Sequence, residues 1–133
     1  MTLMEIHEPG ETPLPHAGEG SLAVGIDLGT TNSVVAIARE GKPAALHDET
    51  GKAMVPSVVA YPSSGGVVVG DEARQVLAQE PKNVVASVKR LMGRGAGDIA
   101  EELKLFPFRV VPSDGVIRLQ LGEKTFTPPE ISA

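Results

Sequence analysis

Leu22-Ala23-Val24-Gly25-Ile26-Asp27-Leu28-Gly29-Thr30-Thr31-Asn32-Ser33, followed by Val34-Val35-Ala36-Ile37, is the stretch that decides the fold. Leu22, Val24, Ile26 and Leu28 alternate with Ala23, Gly25 and Asp27. This is the period of a strand with one large apolar face built for burial and one small face that ends in a carboxylate. Gly29 permits a tight turn, Thr30 and Thr31 place hydroxyls and backbone N–H groups at its tip, and Val34 to Ile37 reads as the returning strand. Successive N–H groups in a turn can hold an anion, and a neighbouring carboxylate can hold a hydrated magnesium ion, so the hairpin has the parts of a phosphate cradle. The same residues also make an ordinary turn with an acidic cap at its lip, and spacing alone leaves both readings open.

Around this hairpin, 133 residues are enough for one domain with a core of its own. An apolar content of 41% and a charged content of 22% are those of a globular chain. The net charge of −5 argues against a non-specific grip on nucleic acid. With no cysteine there is no disulfide framework, thiolate nucleophile or cysteine-based zinc site. No basic region followed by an apolar run marks a secretory signal, and no apolar run approaches membrane-spanning length. A soluble, cytoplasmic protein without nucleic-acid or membrane partners is expected.

Residues 1–20 carry Glu5, Glu8, Glu11 and Glu19 among Pro9, Pro13 and Pro15, and read as a flexible amino-terminal tail; its His7 and His16 have no third ligand at a spacing that suits a metal. Residues 21–133 read as the structured part. Arg39 to Pro43 is expected to turn into a short strand at Ala44-Ala45-Leu46, and Asp48 to Lys52 to turn again. Val55 to Pro62 reads as one edge strand, because its prolines cannot donate to a ladder. Val67 to Val69 follows as a strand. Asp71 is expected to cap a helix that buries Ala73, Val76 and Leu77 and stops at Pro81. Val84, Val88, Leu91 and Met92 have helical spacing after a cap at Asn83, although paired β-branched residues at 84 and 85 dilute that reading. Asp98 starts a third helix through Ile99 and Leu103. Ile117, Leu119 and Leu121 alternate as a half-buried strand between turns at Ser113-Asp114-Gly115 and Gly122-Glu123-Lys124.

Thr127-Pro128-Pro129-Glu130 has the form of a helix capping box, with Thr as N-cap, Pro at the first helical position and Glu at the third. Only three residues follow, so the chain reads as cut at a helix start whose first turn has no body to pack; a frayed terminus is the alternative. Ser87-Val88-Lys89-Arg90-Leu91-Met92-Gly93-Arg94 gathers three of the twelve basic residues. With Val88, Leu91 and Met92 buried, Lys89 projects towards a cleft, where it could stabilise a transferring phosphate, or simply towards solvent.

No G-x-x-x-x-G-K-[S/T] loop is present, which excludes the commonest alternative way of holding ATP. Gly-Ile-Asp-Leu-Gly-Thr-Thr-Asn-Ser instead closely resembles the first phosphate loop of the 70-kilodalton heat-shock (DnaK-like) chaperones, which share an actin-like ATPase fold with the sugar kinases. Lys89-Arg90-Leu91-Met92-Gly93-Arg94 is similar to a second segment of that family. Together with Ile6 to Gly10, Val55 to Val59, Val69 to Ala73 and Pro129 to Ala133, it is most similar to the HscA branch, which serves iron–sulfur cluster assembly.

The resemblance implies an α/β fold, with residues 21–133 as the first, incomplete part of a nucleotide-binding domain: part of an actin-like (ribonuclease H-like) ATPase lobe with a mixed sheet, short helices and a β-rich second part. It also implies ATP or ADP with magnesium as cofactors. Gly29, Thr30, Thr31 and Asn32 would face phosphate, Asp27 would hold magnesium through water, and Lys89 would serve hydrolysis near the γ-phosphate. A J-domain co-chaperone and an iron–sulfur scaffold protein are the implied partners. The family's second phosphate loop, Asp-x-Gly-Gly-Gly-Thr, its further magnesium-site carboxylates and its adenosine-binding loop have no counterpart here. Residues 1–133 alone are therefore expected not to bind ATP as an intact chaperone does, and open apolar sheet surface is expected. A small-molecule kinase of the same superfamily shares the Asp27–Gly29 hairpin, and a non-catalytic fragment is the third reading.

Overall fold

A computed structural model describes residues 22–39, 41–95, 97–111, 113 and 115–133. The tail expected over residues 1–20, with His7 and His16, lies outside the described residues, as do Glu40 and Asp114 of two expected turns.

Three small sheets follow one another. In the first, β1 (Ala23–Leu28) pairs antiparallel with β2 (Asn32–Arg39), setting Asp27 opposite Val34 and Leu28 opposite Ser33. The other edge of β2 pairs first with β4 (Met54–Pro56) and then with β3 (Lys42–Ala45). The second sheet places β5 (Val58–Ala60) between β6 (Val68–Val69) and β7 (Val84–Ala86). The third is the meander β8 (Arg109–Val111), β9 (Arg118–Leu121) and β10 (Lys124–Phe126). Every pairing among the described residues is antiparallel, where a mixed sheet was expected. The links β1–β2, β2–β3, β5–β6, β8–β9 and β9–β10 are all shorter than the crossover of a dozen or more residues that parallel neighbours need.

The cores follow from strand alternation. Val58, Ala60 and Val84 point to one side of the second sheet, where they bury Ala73 of helix α1 (Asp71–Leu77). Val59 and Val85 point to the other side, into the larger core of Leu91, Ile99, Phe108, Ile117, Leu119, Leu121 and Ile131. Burying side chains of this size contributes about 2 kcal/mol each, and Leu119, at 0% exposure, is the most enclosed residue of the alternating strand. Tyr61 stacks on Phe126 with ring centroids 4.4 Å apart, which ties the second sheet to the third. Burial pushes the Tyr61 phenol above its ordinary pKa, with the Glu130 charge acting in the same direction.

Several expectations are corrected. Val55 to Pro62 is not one edge strand: Pro56 ends β4 at the edge of the first sheet, and after Ser57 the chain enters β5, the central strand of the second. Both prolines fall outside β5, which is what permits its central position. Val84 to Met92 is not a helix, because Val84 and Val85 are drawn into β7 against β5. Only Val88–Leu91 turns, as a short 3-10 helix. Asp71 does not cap α1; Gly70 is the N-cap, and Asp71 lies in the first turn and accepts from Lys52 Nζ at 2.7 Å. The third helix, α2 (Ala100–Leu103), starts two residues beyond Asp98, whose carboxylate accepts the Gly95 N–H at 3.0 Å instead. The open apolar sheet surface, by contrast, is as expected: Leu22, Val24 and Ile26 are 60%, 56% and 69% exposed, because no described element lies against the large face of β1.

The capping box forms as expected. Helix α3 (Pro128–Ser132) has Thr127 as N-cap, with Thr127 N donating to Glu130 Oε2 at 2.6 Å and Glu130 N donating to Thr127 Oγ1 at 3.4 Å. Its first turn does pack, against expectation: Pro128 and Ile131 are buried, and the turn sits on the Val88–Leu91 segment. Hydrogen bonds from the Thr127 backbone and then its side chain hold the Glu130 carboxyl below its ordinary value of 4.5. A lowered folded-state value means that this contribution is complete above the unfolded value and is lost as pH falls through the folded one. Thr127→Ala is expected to destabilise the chain by about 1 kcal/mol. The deficit should shrink on acidification below the unfolded value, read as the difference in urea midpoint between pH 7 and pH 3.

Candidate functional site

The connection between β1 and β2 is only Gly29-Thr30-Thr31, and its tightness rests on glycine. A Cβ at position 29 would run into the carbonyl oxygen of Asn32, so no larger residue fits without reopening the turn. Asn32 itself is the first residue of β2, half-buried and paired with Pro56 of β4. Asp27, one residue before the strand ends, is exposed, and among the described residues its carboxylate has no ion-pair partner. Beside it on the same face, Gly25 has open space where a side chain would stand.

Lys89 arrives from 61 positions away. It sits in the 3-10 turn after β7, and its Nζ donates to the carbonyl oxygen of Leu28 at 2.9 Å, immediately before the Gly29 turn. Gly29 and Lys89 line one cleft of about 190 Å³ together with Leu28, Ser57, Val88 and Ile131. The structure thus brings the expected lysine and the expected turn to one place. The rest of the basic cluster is divided: Arg90 is exposed, whereas Arg94 pairs with Glu102 of α2 at 3.1 Å and donates to the Asp98 carbonyl. A larger hollow of about 360 Å³ between Tyr61, Gly65, Asn83 and Lys124 contains none of these residues.

Two residues escaped the sequence reading. Ser57 donates from its hydroxyl to the Gly29 carbonyl at 2.8 Å and from its backbone to the Thr31 carbonyl at 2.8 Å. Ser87 has left-handed φ and ψ of 57° and 38° and turns the chain into the Lys89 segment. A hydroxyl residue between Pro56 and the Val58-Val59 pair was the available signal for the first. Nothing local signals the second.

The residues present fit a phosphate group with magnesium. The turn has room only for glycine at position 29, a cation stands at its entrance, and among the described residues the Asp27 carboxylate has no ion-pair partner. Magnesium usually keeps several waters and takes only one or two protein carboxylates, so Asp27 suits it. Among the described residues no group of three acidic or histidine side chains forms a dedicated cage. No helix there is long and apolar enough to cross a membrane.

The family model described as Hsp70 protein matches residues 23–133. Over its whole length the chain is 45% identical to the chaperone protein HscA homolog of Ralstonia nicotianae. It is 44% identical to the proteins of the same description from Burkholderia ambifaria and Ralstonia pickettii. It spans about a fifth, 21%, of the length of these relatives. An α/β segment of an actin-like ATPase lobe is the fold class that this match carries, and the chain belongs to the Hsp70 family.

Proposed function

We propose that this chain forms the first phosphate-binding jaw of an ATP-dependent, HscA-like chaperone that acts in the cytoplasm in iron–sulfur cluster assembly. The observation that carries the reading is the Lys89 ammonium 2.9 Å from the Leu28 carbonyl, at the entrance to the Gly29–Thr31 turn. Gly29, Thr30, Thr31 and Asn32 bind phosphate oxygens through the turn's backbone and hydroxyls. Asp27 holds magnesium through water, and magnesium supplies charge neutralisation of the phosphates when bound. Lys89 stabilises the charge that develops on the transferred γ-phosphoryl group and orients the attacking water. ATP and ADP are the cofactors, and a J-domain co-chaperone and an iron–sulfur scaffold protein are the partners. The family match and the likeness to proteins described as HscA homologs support this reading.

The test is ATP turnover by the full-length gene product. Hydrolysis without any added phosphate acceptor, accelerated by a J-domain protein and an iron–sulfur scaffold, is expected. Turnover that depends strictly on a sugar would transfer the assignment to the small-molecule kinases of the superfamily. Absence of ATP binding would remove the nucleotide reading altogether.

A further inference from the structure

Ser57 occupies a single position between β4 and β5, yet all its polar groups join other segments. Its N–H donates to the Thr31 carbonyl at 2.8 Å and its hydroxyl to the Gly29 carbonyl at 2.8 Å. The hydroxyl also lies 2.9 Å from that of Ser33 on β2. Its own carbonyl accepts the Ser87 N–H at 3.1 Å. Ser87 is the only non-glycine residue with positive φ among the described residues, and it begins the turn that carries Lys89 two positions on. Lys89 then closes the circuit on Leu28. The turn and the lysine therefore meet through one serine, half-buried where the first sheet passes into the second.

We propose that Ser57 is the positioning residue that sets the spacing between the Gly29–Thr31 turn and Lys89, so that turn donors and ammonium address the same phosphate group. This rests on the nucleotide reading of the site. Ser57 touches no reacting atom. It acts by fixing the turn through Gly29 and Ser33 while its backbone holds the strand that delivers the lysine. A substitution by alanine removes the hydroxyl bonds and leaves the backbone bonds, so it loosens the turn without dismantling the sheets. Threonine keeps the hydroxyl.

The experiment compares Ser57→Ala and Ser57→Thr in the full-length protein by deuterium exchange and ATPase kinetics. Loss of one such hydrogen bond is worth about a tenfold change. Ser57→Ala is expected to speed amide exchange about tenfold in peptides covering residues 28–33, with protection of β9 unchanged. It should lower kcat about tenfold and leave KM within about twofold, because the geometry of phosphoryl transfer, not ground-state binding, is disturbed. Ser57→Thr should restore both readouts. Wild-type exchange at residues 28–33 in the alanine variant, a loss of protection shared equally by β9, or a threonine variant as impaired as alanine would each overturn the proposal. A wild-type protein that hydrolyses no ATP would refute the nucleotide reading instead, and the exchange measurement would still decide whether Ser57 holds the turn.

Discussion

Lys89→Ala in the full-length protein is expected to reduce kcat for ATP hydrolysis by about 100- to 1,000-fold, the range found when one preorganised donor is removed from a developing negative charge. Nucleotide affinity should change far less, by about threefold, because an ammonium that acts mainly in the transition state adds little to ground-state binding. The structure supports a selective effect. Lys89 is exposed and donates to a backbone carbonyl, so its removal opens no cavity and leaves no buried charge. Stopped-flow nucleotide binding together with single-turnover hydrolysis separates the two quantities. Equal losses in both would make Lys89 a binding residue; no loss in either would make it a solvated basic edge. Arg94→Ala is the internal control, since Arg94 is engaged with Glu102 away from the turn.

Gly29→Ala should have the second large effect, for a steric reason. The added Cβ meets the Asn32 carbonyl oxygen, which belongs to the backbone of β2 and cannot rotate away as a side chain would. The turn has to open, which moves the Thr30 and Thr31 N–H groups and breaks the alignment with Ser57. A displacement of about 1 Å costs on the order of 100-fold in rate where several groups must converge, and kcat/KM for ATP hydrolysis should fall by about that factor. Steady-state kinetics of the full-length protein measure it directly. Gly25→Ala, on the same hairpin with open space around its Cβ position, should hydrolyse ATP normally.

What the sequence revealed and what it concealed divide along physical lines. The β1–β2 hairpin, the alternation of Ile117, Leu119 and Leu121 and the Thr127–Glu130 box were all legible, because each depends on a short-range rule: strand period, turn chemistry or capping. Asp27, the Gly29 turn and Lys89 were legible as single features. The family resemblance implied that the turn and Lys89 share one phosphate site; the residue patterns alone did not, because that meeting depends on tertiary contacts 61 positions apart, and Asp27 is not among the residues lining their cleft. The split of Val55 to Pro62 between two sheets was hidden, since Ser57 is no breaker by composition; long-range bonds to Gly29, Thr31 and Ser87 turn the chain there. Val84 to Met92 misled because helical spacing of apolar residues is also what results when Val84 and Val85 face two different cores and Leu91 joins one of them. The large face of β1 has the pattern of a buried face and is exposed because no described element covers it, which is the open apolar surface expected from the sequence.

The central claim is that Lys89 and the Gly29–Thr31 turn face the same phosphate group. An acyl-phosphate derivative of ATP, which transfers its acyl group to lysines next to the bound phosphates, tests this most directly when the full-length protein is labelled and its peptides are mapped. The account predicts labelling at Lys89 that is suppressed by excess ATP with magnesium and abolished by Gly29→Ala. Labelling confined to other lysines, with Lys89 unmodified whether or not ATP competes, would contradict it.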